Sequence, residues 1–434
     1  MKLYIAVACL LGVFTQMKAQ DVNKNIKEKN VKRIIKTLSA DNMLGRATGT
    51  PGIEKAAKFI EKEYKKIGLV PLSGNSSFRQ NFNMAKILPL KTEITINGKV
   101  IAADSALVIS GAPAIHWASN SDVEVAKIGA DKNFQSAYRG YARLGKKMLI
   151  LVDSSFKQQF KSSVYRYKQG VISQSPNADQ NIVLVLGAFN NVDVKTFSVE
   201  YTAKIEQAPL FNIAGMLPGK SKEKEYVIFS GHYDHLGILP PIKSDSIANG
   251  ADDDASGTTA VIALAKYYKK LKKNERTLIF VAFTAEEIGG FGASYFSKQL
   301  NADSVVAMFN IEMIGKASKF GANSAFITGY ERSDFGAILQ RNLLGTAFKF
   351  YPDPYPEQNL FYRSDNATLA RLGVPAHSIS TDQIPTDKLY HSVGDDVASL
   401  DVANITSTIR AIALSSRSIV EGKDTPKRVA KLER

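Results

Sequence analysis

The chain has 434 residues, 44% of them hydrophobic and 22% charged, and a formal net charge of +15. This is an ordinary globular composition, long enough for a large core and for two compact units. Lys and Arg stand singly or in pairs, as in Lys269-Lys270 and Lys272-Lys273; without long basic blocks or interleaved aromatics, the charge argues for a solvated basic surface and against a nucleic-acid partner.

Lys2, an apolar run from Leu3 to Phe14, and Ala19 before Gln20 form the pattern of a cleavable signal peptide over 1–19. About a dozen apolar residues are too few for a stable anchor. The expectation is an exported protein, periplasmic or extracellular, with no transmembrane segment after cleavage. The single cysteine, Cys9, lies within the signal. The mature chain therefore has no disulfide and rests on packing and metal. A lipoprotein anchored through Cys9 would need a longer apolar stretch before it.

From Asp21 to Ile67 apolar and charged residues interleave at helical spacing around a glycine-rich turn, Leu44 to Gly52. Residues 20–85 read as the first part of the main domain. Short β-prone runs such as Thr92 to Ile96 and Met148 to Val152 mark 86–205 as an inserted β-rich subdomain. From 206 to 422 apolar strands alternate with amphipathic helices, and 423–434 is a basic tail. The expected fold is a three-layer α/β/α domain with a mixed central sheet. Strands around Tyr226 to Phe229, Thr277 to Phe283 and Val305 to Phe309 each run into polar motifs. Open α/β sheets place their sites at the carboxyl ends of strands.

Those motifs are His232-Tyr233-Asp234, Asp252-Asp253-Asp254, Glu286-Glu287, Glu312 and His391. Imidazole nitrogen and carboxylate oxygen suit zinc, and a catalytic pair of ions about 3.5–4 Å apart needs a bridging carboxylate. His232 alone would be an ordinary strand-end histidine, and a lone Glu pair is usually surface. Three adjacent aspartates exceed what a helix dipole asks for and repel one another, which points to a bound cation with Asp253 as the bridge. The run lacks the spacing of a calcium-binding EF-hand loop. In the Glu286-Glu287 pair, one carboxylate can bind metal while the other handles a proton.

In order, G-H-Y-D-H-L-G, N-G-A-D-D-D-A-S-G, F-T-A-E-E, N-I-E-M-I-G and Y-H resemble the aminopeptidase Y/leucyl aminopeptidase family of secreted zinc metallopeptidases, whose relatives include glutamate carboxypeptidases and glutaminyl cyclases. G-R-A-T-G-T-P-G at Gly45 to Gly52 resembles the family's N-terminal signature. The resemblance implies two zinc ions: His232 and Glu312 on one, Glu287 and His391 on the other, and Asp253 between them. It further implies Glu286 as general base, Asp234 orienting His232, Tyr390 donating to the oxyanion, and Arg363 contacting a peptide substrate. Water shared by the ions would attack the peptide carbonyl, and a free α-amine held beside the metals would confine cleavage to N-terminal residues.

Five positions depart from the family pattern: Glu312 where Asp is frequent, Asp254 for Asn, Asn366 for His, and Ser392-Val393 for Thr-Pro. None removes a ligand. Of the other histidines, His235 reads as a supporting or loop residue, His377 as a strand residue and His116 as part of the insertion. A carboxypeptidase or dipeptidase would share both metals. A glutaminyl cyclase would hold one, and a non-catalytic binding protein would have lost ligands.

Overall fold

The structure is a computed structural model that describes residues 22–168, 170–173, 181–189 and 192–432. The segment read as a signal peptide lies outside the described residues. The chain forms two compact units, one from the residues up to Phe82 and from Leu210 onward, the other from Asn83 to Pro209.

The first unit is built on a mixed sheet. Its strands are β1 (Phe197–Leu217, which enters this unit at Leu210), β2 (Lys222–His232), β3 (Arg276–Phe283), β4 (Val305–Ile311), β5 (Ser324–Ile327), β6 (Lys349–Pro352) and β7 (Ala376–Ser380), in the order β6-β5-β7-β4-β2-β3-β1. β2 runs parallel to β3 and β4, and β4 to β7. β1 is antiparallel to β3, and β5 is antiparallel to β7.

Successive side chains of a strand face opposite ways, and both faces of this sheet are apolar. Val227, Phe229, Leu278, Phe280, Ala307 and Phe309 belong to the core on one face. Ile228, Ile279, Val281 and Met308 belong to the core on the other. This is why the central strands read as continuous apolar runs rather than alternating ones. Burying each large side chain contributes about 1.5–3 kcal/mol.

Helices α1 (Glu28–Leu38), α2 (Pro51–Ile67), α3 (Gly257–Leu271), α4 (Phe291–Lys298), α5 (Phe335–Asn342), α6 (Asn366–Arg371) and α7 (Val402–Ser415) cover the two faces. α1, α2, α3, α5 and α7 supply one core, and α4 and α6 supply the other. α1 buries Val31, Ile34, Ile35 and Leu38, one stripe at helical spacing. α2 starts on Pro51 and stops at Gly68, whose φ of 81° few other residues adopt. The result is the three-layer α/β/α arrangement expected from the sequence.

The second unit has a four-stranded sheet, ordered 106–110, 181–187, 148–153 and 124–128. Two helices accompany it, Phe134–Ala142 and Lys157–Lys168. Phe134 and Phe160 from the helices join Ile150, Val152, Ile182 and Leu184 in one core. His116 and Glu200, exposed side chains on paired strands, lie 2.6 Å apart. No helix among the described residues is long and apolar enough to cross a membrane.

Candidate metal centre

The sheet delivers each motif to the same end. His232 closes β2, Glu286 and Glu287 follow β3, Glu312 follows β4, and His391 lies on the segment after β7. The 251–256 turn leads into α3 and contributes Asp253. Its two oxygens face different histidines: Oδ1 lies 3.1 Å from His232 Nε2 and Oδ2 lies 3.3 Å from His391 Nε2. His232 Nε2 is also 3.2 Å from Glu312 Oε1, and His391 Nε2 is 3.0 Å from Glu287 Oε2. His232, Asp253 and Glu312 thus form one donor cluster, and His391, Asp253 and Glu287 a second.

His235, read from sequence as a supporting residue, joins the second cluster. Its Nδ1 lies 2.7 Å from Glu287 Oε1 and 3.8 Å from Asp253 Oδ2. The signal for it was only its place two residues after the Tyr233 that follows His232.

The donor set fits zinc. Imidazole nitrogens, carboxylate oxygens and no thiol are a combination zinc takes, and two donors on one tetrahedral ion at about 2.0–2.1 Å stand roughly 3.3 Å apart, close to the separations here. Charge agrees with geometry. Burial opposes protonation of His391, but its bonds to Asp253 and Glu287 prevail and raise it to about 10. His232 is likewise raised, Glu312 and Asp253 outweighing burial. A divalent cation displaces such protons when it binds.

Around the clusters, buried carboxylates hold backbone in place. Asp254 takes no part in the histidine pairs. Its Oδ2 accepts from the His232 N–H at 3.1 Å, and its Oδ1 accepts from Gly257 at 2.9 Å and Met313 at 3.1 Å, joining the ends of β2 and β4 to the start of α3. Gly257 permits this, because a Cβ there would sit 2.4 Å from the Asp254 carboxylate and 2.0 Å from Ile311 O. Asp395 accepts from the N–H groups of Asp252 at 2.9 Å and Asp253 at 3.0 Å. Asp234 accepts from the Glu286 and Glu287 N–H groups at 3.2 and 3.3 Å and from Thr48 Oγ1 at 3.3 Å. Its carboxylate lies 3.8 Å from His232 Nδ1, while its backbone carbonyl lies 3.1 Å away. Burial raises the Asp234 carboxyl to about 6, with His232 opposing.

Ser364 donates to Glu312 Oε2 at 2.6 Å and accepts from Asn310 at 2.7 Å, a relay not anticipated from the sequence. Asn366, where the family often has His, bonds Phe361 O, Ala376 O and Ser378. Ala285, Met313 and His391 adopt positive φ of 60°, 48° and 57°, conformations that cost about 1–3 kcal/mol each and cluster at functional sites.

A cavity at this end of the sheet is lined by Asp253, Glu286, Glu312, Tyr390, His391 and Arg363 among others. Glu286 belongs to neither donor cluster. Burial, with Glu312 and Asp365 nearby, holds its carboxyl well above the usual range. Tyr390 stacks on His391 with ring centroids 3.8 Å apart, and burial, then the Asp253 and Glu287 charges, push its hydroxyl upward, so it remains a donor. Arg363 is exposed and donates to Gln358 Oε1 at 3.1 Å. His377 is a buried strand residue on β7, bonded to Thr328 O and Ser333, and burial lowers it to about 4.

The glycine-rich turn before α2 clamps the whole site. Gly45 has a φ of 64°, and a Cβ there would meet Gly237 O at 2.5 Å. Arg46 is completely buried. It donates to Tyr233 O at 2.9 Å, Leu38 O at 2.7 Å, Gly250 O at 2.8 Å, and Asn249 O. One guanidinium therefore ties the His232 segment to the Asp253 turn and offsets nearby aspartates. Arg46→Met keeps the stem but strands these carbonyls and carboxylates, and is expected to cost about 3–5 kcal/mol in denaturant unfolding. A loss below about 1 kcal/mol would mean the clamp contributes nothing special.

A mixed α/β/α sheet carrying histidine and carboxylate donors at one end defines a zinc-peptidase-like domain. Residues 212–415 match the model of peptidase family M28. Aminopeptidase YwaD of Bacillus subtilis (strain 168) is 24% identical over 304 residues, which are 64% of this chain and 61% of that protein. A probable zinc metalloprotease of Pyrenophora tritici-repentis (strain Pt-1C-BFP) is 35% identical over 107 residues, 24% of each chain. The chain thus spans less than two thirds of the length of these curated relatives. An aminopeptidase from Aneurinibacillus sp. strain AM-1 shares the fold with a TM-score of 0.62 at 18% identity, over 96% of this chain and 97% of that one.

Proposed function

We propose that the chain is an exported zinc metallopeptidase that removes N-terminal residues from peptides, with two zinc ions held on either side of Asp253. The observation that carries this reading is the opposed orientation of the two Asp253 oxygens, one toward His232 and one toward His391. His232 and Glu312 would complete one site, and Glu287 and His391 the other, with His235 beside the second. Bound there, zinc supplies Lewis acidity that polarises the scissile carbonyl and acidifies water.

The chain's own groups do the rest. Asp234 fixes the backbone of Glu286 and Glu287, so the two carboxylates keep separate tasks. Glu286 takes the proton from the attacking water and delivers it to the departing amine. The Tyr390 hydroxyl donates to the oxygen that gains charge in the tetrahedral transition state. The substrate α-ammonium is held among the surplus carboxylates, which confines cleavage to the first peptide bond. Export rests on the apolar run from Leu3 to Phe14, and residues 86–205 are read as a domain inserted into the peptidase.

One observation favours a second reading. Arg363 lines the same cavity, and a guanidinium is a good partner for a substrate's C-terminal carboxylate. A panel of peptides with free or blocked termini, offered to the zinc-loaded protein, separates the two. Cleavage that requires a free N-terminus is the expected result. Cleavage of N-blocked peptides that requires a free C-terminus would replace the aminopeptidase with a carboxypeptidase.

A further inference from the structure

The cavity that holds Glu286, Glu312 and His391 is also lined by Met313, Phe326, Leu360, Ile384 and Asp382. Four of these five are apolar. Asp382 is 3% exposed, and neither of its carboxylate oxygens has a hydrogen-bond donor. The Gln383 N–H and the Asp387 carboxyl lie close without reaching hydrogen-bond geometry. Carboxylate oxygens of Asp252, Asp382 and Asp387 lie within 4.8 Å of one another. The ammonium beside them, Lys316, is bonded to Asp387 and stands 3.5 Å from Asp252, so it is engaged by the other two carboxylates. Lys316 acts on Asp382 through its charge alone, and a buried carboxylate without a hydrogen-bond donor is costly. Here it forms part of the wall of a cavity that opens beside the metal centre.

Building on the aminopeptidase reading, we infer that Asp382 determines specificity by receiving the cationic end of the substrate's first side chain, so that the preferred N-terminal residue is lysine or arginine. Apolar walls suit the methylene stem of such a side chain, and a carboxylate suits its charged head. Burial raises the Asp382 carboxyl to about 7, helped by Asp387 and opposed by Lys316. A bound ammonium or guanidinium would favour its ionised form.

The test is kcat/KM for dipeptide amides beginning with Lys, Arg, Leu, Met or Glu, measured on the zinc-loaded wild type and on Asp382→Asn. The expected result is a preference for Lys and Arg over Leu of about tenfold or more, and a Lys:Leu ratio that falls about tenfold or more in the variant. A purely structural role would lower all substrates together and leave the ratio unmoved, which would overturn the inference. So would a wild-type preference for Leu or Met, and in that case the aminopeptidase reading would stand. Failure to cleave any free-amine peptide would instead bring down that reading and this one together. If Asp382→Asn does not fold, competition on the wild type decides: free lysine should inhibit better than norleucine, which lacks only the amine. Equal inhibition, or a rate on Leu substrates set by added calcium or potassium with no Lys preference, would assign the carboxylates to an inorganic cation or to none.

Discussion

Replacement of Glu286 by Gln is expected to lower kcat for peptide hydrolysis by about 10²–10⁴-fold while zinc content and thermal stability stay at the wild-type level. Glu286 stands in the cavity beside Glu312 and His391, yet it belongs to neither of the histidine and carboxylate clusters built on Asp253. Its backbone is fixed by Asp234, and its carboxyl, buried and surrounded by other acids, is held well above the usual range. A carboxylate in the cavity that is not taken up by either donor cluster is placed to accept and return a proton. Gln keeps the shape and removes only that capacity. Kinetics on a free-amine peptide, with zinc measured on the same sample, check it; activity within about tenfold of wild type would transfer the proton-handling role to another residue.

Asp253→Asn is expected to do something different, namely to strip metal from both clusters at once. The aspartate offers one oxygen to each side, 3.1 Å from His232 and 3.3 Å from His391, whereas the amide offers one oxygen and a pair of N–H donors. Those donors would face a histidine that must itself present a lone pair to a metal. Activity should fall by about 10³-fold or more, since the metal's contribution to the transition state is several kcal/mol and each 1.36 kcal/mol is tenfold. Elemental analysis should find zinc lost from both sites rather than one. Retention of one full equivalent would show that the clusters bind independently, and Asp253 would no longer be their bridge.

The central strands and the motifs at their ends were readable from the sequence because each is local. An apolar run such as Thr277 to Phe283 can only be a buried strand or part of a buried helix, and the acidic pair right after it marks the end that carries chemistry. The sheet then brings His232, Asp253, Glu286, Glu287, Glu312 and His391 together without any of them needing a long-range partner in sequence.

The supporting framework was less legible for the opposite reason. Arg46 acts on Tyr233 and Asn249, 187 and 203 residues away. Asp395 holds the N–H groups of Asp252 and Asp253 from more than 140 residues further on. Ser364 reaches Glu312 only once α6 and β4 have packed. Asp254 reads from sequence as additional charge beside the metals; folded, it binds three backbone N–H groups. Nothing in the sequence around Asp382 signals that its carboxylate would be left without a donor in the wall of a cavity.

The most direct measurement is an anomalous difference map collected at the zinc edge from crystals of the zinc-loaded protein. Two strong peaks, one beside each oxygen of Asp253, with His232 and Glu312 on the first and Glu287 and His391 on the second, are the expected result. A single peak, or metal bound away from Asp253, would contradict the two-metal centre on which the proposed hydrolysis depends.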